Sequence, residues 1–310
     1  METVRHAFYL SRAQARCGAS VTLSASARRR HSPLAYWHLA SFDAPTVAVV
    51  WAAGFAGAVH TPLPPWVPLL LALTTWSVYI ADRLLDARRG LQQGDLHHLQ
   101  ERHRFHWRHR RFFTPLAVGA AAVATGIVFT RMPVVSLERN SVLAAATFAY
   151  FAGVHAPRES DQSWLTRQFD RLKHVLPAEL LVGLLFTAGC VLPAFSRAPR
   201  LPCAAFGGVA TYFALLAWLN CFAIQCWESG RKLLTPCRVV PAAVLLGMSG
   251  LVLAGTLFRG EWRIASLAAA GAVSALLLAL LDRFKERLSP LSLRCCADMV
   301  LLTPLALLLR

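Results

Sequence analysis

The chain is divided into apolar runs of membrane-crossing length, and no other feature constrains its fold as strongly. The hydrocarbon core of a bilayer is about 30 Å thick, so a helix crossing it needs roughly 20 largely apolar residues. Nine such runs are read along the 310 residues, at about 44–60, 66–82, 112–130, 141–155, 175–195, 203–226, 239–258, 264–281 and 291–309. The fourth is short, Pro177 and Pro193 mark the ends of the fifth, and Pro304 is placed to kink the ninth. Inside lipid a backbone must satisfy its own hydrogen bonds, which helices do within one segment. The pattern therefore predicts an all-α, polytopic membrane protein with a nine-helix transmembrane bundle over residues 36–310 and no second domain. Composition agrees: at 56% hydrophobic and 15% charged, the chain has too little polar surface to cover a soluble core of this length.

Lys and Arg predict the orientation, because cytoplasmic loops of membrane proteins carry their excess. With the N-terminus in the cytoplasm, the inside segments hold 25 of the 32 Lys and Arg and the outside segments hold 7. Nine spans then put the C-terminus on the opposite side. The net charge of +16 is read through this bias and through attraction to anionic membrane lipid, not through nucleic acid. Residues 1–35 are basic through Arg5, Arg12, Arg16, Arg28, Arg29 and Arg30 and have no long apolar stretch. They are read as a disordered cytoplasmic tail. Their Arg/Ser/Ala-rich, acid-poor character also suits an organelle transit peptide, but not a secretory signal. The eight cysteines contain no CxxC pair, and the composition suggests small buried thiols rather than a disulfide framework.

The second run ends in "IADRLLDARRG", where Asp82 and Asp86 stand one helical turn apart and so share a face. Two like charges so placed repel unless a cation lies between them. Magnesium is suited to this, since it takes one or two carboxylates and completes its shell with water and phosphate oxygens. Arg83 and Arg88 are candidates for the remaining phosphate charge. The plainer reading is a helix end whose acids pair with nearby arginines. The sixth run closes on "LNCFAIQCWESGRK", with Asn220 and Glu228 two turns apart and Arg231 and Lys232 just beyond. Polar side chains within a span face the bundle interior and mark functional sites by default. Two acidic helix ends on one membrane face, each followed by basic residues, point to a paired metal–diphosphate site.

These motifs resemble those of the UbiA superfamily of intramembrane prenyltransferases. That family has nine spans and two aspartate-rich motifs, on the cytoplasmic side after spans two and six. Its first motif, N-D-x-x-D-x-x-x-D, aligns Val78 and Tyr79 with the leading pair and Asp82 and Asp86 with the later aspartates. Its second aligns Asn220 with the first position, Ile224 with a usual aspartate and Glu228 with the last acid. The resemblance implies a magnesium-dependent transfer of an isoprenoid chain from a prenyl diphosphate donor to a lipophilic or aromatic acceptor. It implies metal coordination by Asp82, Asp86 and Glu228, with Asn220 in the same catalytic set. Phosphate contacts fall to Arg83, Arg88, Lys173, Arg231 and Lys232. The acids missing at Val78, Tyr79 and Ile224 motivate the alternative, a non-catalytic binding or transport protein on the same scaffold.

Three further features carry open readings. The stretch 97–109 holds five histidines, with His103, His106 and His109 on one helical stripe. It reads as a basic interfacial helix on anionic lipid, as a cap contributing Arg102 or Arg104 to phosphate, or least simply as part of a di-iron site. Glu179 lies inside the fifth run, where an acid either faces a cavity or pairs with a base. Asp298 follows Arg294 by one turn, the spacing of an internal ion pair.

Overall fold

A computed structural model describes residues 32–92, 100–155, 177–198, 201–229 and 238–309. Among them every regular element is helical: α1 (Pro33–Leu39), α2 (Asp43–Ala58), α3 (Trp66–Gln92), α4 (Glu101–Arg108), α5 (Arg110–Arg131), α6 (Val134–His155), α7 (Ala178–Phe195), α8 (Cys203–Ser229), α9 (Val239–Leu257), α10 (Trp262–Arg283), α11 (Pro290–Met299) and α12 (Leu305–Leu308). Short 3₁₀ turns lie at Lys285–Arg287 and Val300–Leu302.

Six helical stretches among the described residues are long and apolar enough to cross a bilayer: α5, α7, α8, α9, α10 and the segment Pro290–Leu308. The pair α1 and α2, bent by 88°, makes a seventh if counted as one span. Of the nine spans expected, seven at most meet this criterion among the described residues. Both missing spans are helices, but polar residues dilute them. α3 runs through Asp82, Arg83, Asp86, Arg88 and Arg89, and α6 carries Glu138, Arg139 and Asn140 near its start. The last segment is not one continuous helix. It tightens into the 3₁₀ turn at Val300–Leu302 just before Pro304, whose ring cannot continue an α-helix. Cys226 is disulfide-bonded, contrary to the expectation of free thiols, while Cys190, Cys203, Cys221, Cys295 and Cys296 are free.

α10 is the central element. Within its membrane-length stretch 67% of residues are buried, against 17% for α5. Small residues make this possible: Ala265, Ala268, Gly271, Ala272, Ala275 and Ala279 are buried along it and let neighbouring backbones approach. On α9, a Cβ at Gly247 would stand 2.7 Å from the Leu276 side chain. A close backbone approach joins α7 to α8, where a Cβ at Gly183 would meet the Trp218 nitrogen at 2.9 Å. Aromatic rings fill the wider gaps. Trp51 stacks on Phe213 at 3.9 Å, Phe55 meets Phe206 and Phe213 edge-on, and the Trp51 indole donates to the Leu301 carbonyl at 2.8 Å. The outer faces of α5 and α6 expose Phe129 and Phe148, as helices facing lipid would.

The corner between α1 and α2 sets the position of several polar groups. Ser41 takes a φ of 63°, an uncommon left-handed conformation for a residue with a Cβ. Contacts hold it there: its hydroxyl lies 3.2 Å from His106 Nε2, the Trp76 indole donates to the Ala40 carbonyl at 2.9 Å, and Phe42 stacks on Trp76. The corner thereby presents His38 and Asp43 to the end of α3.

Candidate functional site: a polar cavity beside an aspartate pair

A cavity of about 390 Å³ opens where the ends of α3 and α8 meet α2, α4, α7 and α11. Its wall carries Asp43, Arg83, Arg102, Glu179, Asn220, Glu228, Arg294 and Asp298. Tyr79 and Ile224 line it as well, at two positions where the aspartate-rich motifs would carry acids.

The predicted site residues fall into two groups. Asp82 and Asp86 lie together on α3, and His155, the last residue of α6, joins them. One ligand atom from each of the three lies within 4.8 Å of the others. His155 Nε2 is 3.2 Å from Asp82 Oδ1, and its side chain is 7% exposed against 47% for Asp82. His103 Nε2 lies 3.9 Å from Asp86 Oδ2. This cluster adjoins the cavity and is not part of its lining.

Glu228 is not in that cluster. Arg102 Nη1 donates to its Oε1 at 2.8 Å, Gln100 Nε2 to its Oε2 at 2.6 Å, and Arg294 Nη1 also reaches Oε1. The carboxylate expected to help hold a metal is thus the counter-charge for two guanidiniums. Asn220, 5% exposed, donates from Nδ2 to Asp298 Oδ1 at 3.4 Å.

The basic residues are equally divided. Arg83 is buried, donates to the His38 carbonyl at 3.0 Å and stands 3.5 Å from Asp43 Oδ2. Its charge is used inside the protein. Arg88 is exposed at the end of α3. Lys173, Arg231 and Lys232 lie outside the described residues. The Arg294–Asp298 spacing does not produce a direct ion pair among the described residues: Arg294 turns to Glu228, and Asp298 faces His38, whose Nδ1 is 3.4 Å from its Oδ2.

The histidine stripe forms α4, which packs over the cavity mouth. His106 is fully buried, with Nδ1 3.0 Å from the Arg102 carbonyl and its ring against Phe113. Burial lowers its pKa to about 4, against the opposing pull of that carbonyl. Burial, then the positive charges of Arg102 and Arg83, lowers His103 to about 3. Both imidazoles are therefore neutral near pH 7, and neither supplies charge to an anion. Burial also lowers Arg102 to about 10, with Arg294 opposing its charge and Glu228 supporting it.

Four participants escape sequence reasoning: His38, Asp43, His155 and Gln100. His38 Nδ1 lies 2.5 Å from Asp43 Oδ2, five positions along but across the bend between α1 and α2, and it also meets Asp298 across 260 positions, while His155 and Gln100 meet their partners only at long range. The one available signal is an ionisable residue at the edge of an apolar run, which Asp43 and His155 both satisfy. The chain matches no family model, no curated protein and no solved structure.

Proposed function

We propose that this multi-pass helical protein is a magnesium-dependent intramembrane prenyltransferase of the UbiA type, moving an isoprenoid chain from a prenyl diphosphate to a lipophilic or aromatic acceptor. The observation that supports the reading is the Asp82–Asp86 pair, which with His155 brings three possible ligand atoms within 4.8 Å of one another on a helix whose Tyr79 and Arg83 line a polar cavity. The donor set fits magnesium. Two carboxylates one turn apart, 47% and 40% exposed, leave room for the water and phosphate oxygens that complete its shell. Magnesium so held would supply positive charge to a leaving diphosphate.

The protein's own residues have separable tasks in this scheme. Asp82 and Asp86 hold the cation, and His155, nearly buried, fixes Asp82. Arg102 and Arg294 give the cavity mouth positive charge, and Glu228 sets their positions. The surrounding apolar helices exclude water from the reacting chain. The Lys/Arg bias supports an orientation in which the Asp82–Asp86 end of α3 faces the cytoplasm.

One observation favours the second reading, a non-catalytic binding or transport protein. Glu228 is engaged by arginines, and Tyr79 and Ile224 stand where acids would complete two metal sites. Thermal unfolding with a non-hydrolysable prenyl diphosphate separates the two. At a ligand concentration of 100 times Kd, binding to the native state adds about 2.7 kcal/mol. Prenyl transfer expects this rise to need magnesium and to vanish in the Asp82→Asn/Asp86→Asn double variant. A rise that is equal in both proteins, or that ignores magnesium, refutes the metal–diphosphate site.

A further inference from the structure

The three arginines lining the cavity all meet a carboxylate: Arg83 lies against Asp43, and Arg102 and Arg294 meet Glu228. Four arginines close by in the chain do not. Arg104 and Arg108 on α4, and Arg110 and Arg111 at the start of α5, are exposed and make no ion pair among the described residues. Glu101, in the first turn of α4, is the one acid on that helix, and the first turn of α5 has none. Four positive charges therefore gather between positions 104 and 111 without an internal counter-charge.

The helices beneath hold these charges outward. The inner side of α4 is anchored by His106, fully buried against Phe113, and by Arg102, whose guanidinium is engaged by Glu228. Arg104 and Arg108 stand one turn apart on one face, where like charges repel in the absence of an anion. α4 and α5 break only at His109, whose carbonyl accepts from the Phe112 and Phe113 amides at 2.9 and 3.1 Å. Just beyond, Arg110 donates to the Trp107 carbonyl at 3.1 Å, and its guanidinium lies 4.7 Å from the centre of the Trp107 ring. The ring attracts the cation and limits its freedom.

The same junction marks one edge of a lipid-facing wall. After it, Phe112, Val118 and Val123 of α5 are 62%, 65% and 54% exposed, and only 17% of the membrane-length stretch is buried. At 1.5 Å per residue, Arg111 and Arg131 stand about 30 Å apart, the thickness of a hydrocarbon core. Arginines thus bracket an apolar wall of bilayer depth. Arg110 and Arg111 fall at head-group level, beside an indole in the position that interfacial tryptophans take. A neutral head group brings no net charge to this surface. An anionic one does, and a guanidinium suits its phosphate through paired N–H donors.

We propose that the outer face of α4 and the first turn of α5 form a docking surface for anionic phospholipid, its head-group phosphates lying against Arg104, Arg108, Arg110 and Arg111. The inference goes beyond prenyl transfer and does not rest on it, because it uses neither the aspartate pair nor the cavity lining.

The test follows thermal unfolding of the full chain in dodecyl maltoside with added phosphatidylglycerol, phosphatidylcholine, sodium phosphate or polyglutamate. Phosphatidylglycerol is expected to raise the midpoint by at least about 3 °C, and the other three to leave it within about 1 °C. Each basic residue beside an anionic surface contributes about fivefold to binding, so Arg104→Gln/Arg108→Gln/Arg110→Gln/Arg111→Gln should need at least about tenfold more phosphatidylglycerol for the same rise. Cooperative melting without lipid shows that this variant folds. If it does not, Arg104→Gln/Arg108→Gln, confined to the exposed face of α4, should need at least about threefold more. A control variant, Arg259→Gln/Arg263→Gln/Arg283→Gln/Arg287→Gln, removes the same charge from exposed positions elsewhere and should respond as wild type. Equal loss in patch and control variants overturns the proposal, because the net charge of +16 alone then attracts the lipid. So does a rise that the patch variant keeps in full, or one that phosphatidylcholine also gives, which is general solvation by lipid. A comparable rise with sodium phosphate makes a soluble anion the occupant and overturns it too. A rise with polyglutamate and none with phosphatidylglycerol makes the surface a dock for an acidic protein, and the proposal falls.

Discussion

Replacing Glu228 separates a metal ligand from an arginine clamp. Coulomb's law across the 2.8 Å between Arg102 Nη1 and Glu228 Oε1, at an effective dielectric of about 20, gives an attraction of about 6 kcal/mol. Desolvation of both ions offsets most of it, and the side chains remain 14% and 25% exposed to screening. A net coupling of about 1–3 kcal/mol is left, carried mainly by docking of α4 on the end of α8. The assay is a double-mutant cycle of Glu228→Gln and Arg102→Met, read as unfolding free energy in mixed micelles. If Glu228 is a clamp, the cycle returns that coupling and the magnesium dependence of ligand-induced stabilisation is unchanged. A coupling below about 0.5 kcal/mol, or an apparent magnesium affinity lowered tenfold or more by Glu228→Gln alone, refutes the clamp.

Four further outcomes are expected. His106 titrates at about 4 in the folded chain, below its ordinary 6.5, so the folded state binds fewer protons and stability falls as pH drops from 6.5 toward 4. With Arg83, Asp43 and His109 as its charged surroundings, the loss by pH 5 reaches about 2 kcal/mol, and melting of wild type against His106→Gln at pH 8 and pH 5 measures it. Gly183→Ala drives a Cβ into the Trp218 backbone at 2.9 Å and should destabilise by about 1–3 kcal/mol, seen as a lower melting point. Gly250→Ala would meet the Tyr212 hydroxyl at 2.5 Å, a side chain that can be cut back, so Tyr212→Leu should recover most of the loss in the double variant. Imidazole suits zinc better than magnesium, so His155→Ala should weaken zinc competition at Asp82 and Asp86 about tenfold by calorimetry and leave magnesium binding within about threefold.

The fold's class was legible because lipid imposes a length and a composition on each helix, and the runs at α5, α7, α8, α9 and α10 satisfy both. The character of α3 and α6 was less legible, since a helix buried against others tolerates Asp82 or Glu138 where a lone span would not. The adjacency of Asp82 and Asp86 follows from helical spacing alone. The fate of Glu228 does not: Arg102 comes from 126 residues away and Arg294 from 66, and no local pattern reports which cation a carboxylate meets. Arg294 has a possible partner one turn along in Asp298 but meets Glu228, while Asp298 faces His38 and Asn220.

The corner at Ala40–Phe42 has a consequence for the order of assembly. Its left-handed Ser41 is held by His106, the carbonyl of His38 by Arg83, and the ring of His38 faces Asp298. The Trp51 indole likewise waits for the carbonyl of Leu301, 250 positions later. α1 and α2 are thus made before α3, α4 and α11, which supply their partners. During synthesis they must persist with these polar groups unmet until those elements follow. Synthesis halted before Pro290 would leave His38 without Asp298 and Trp51 without the Leu301 carbonyl.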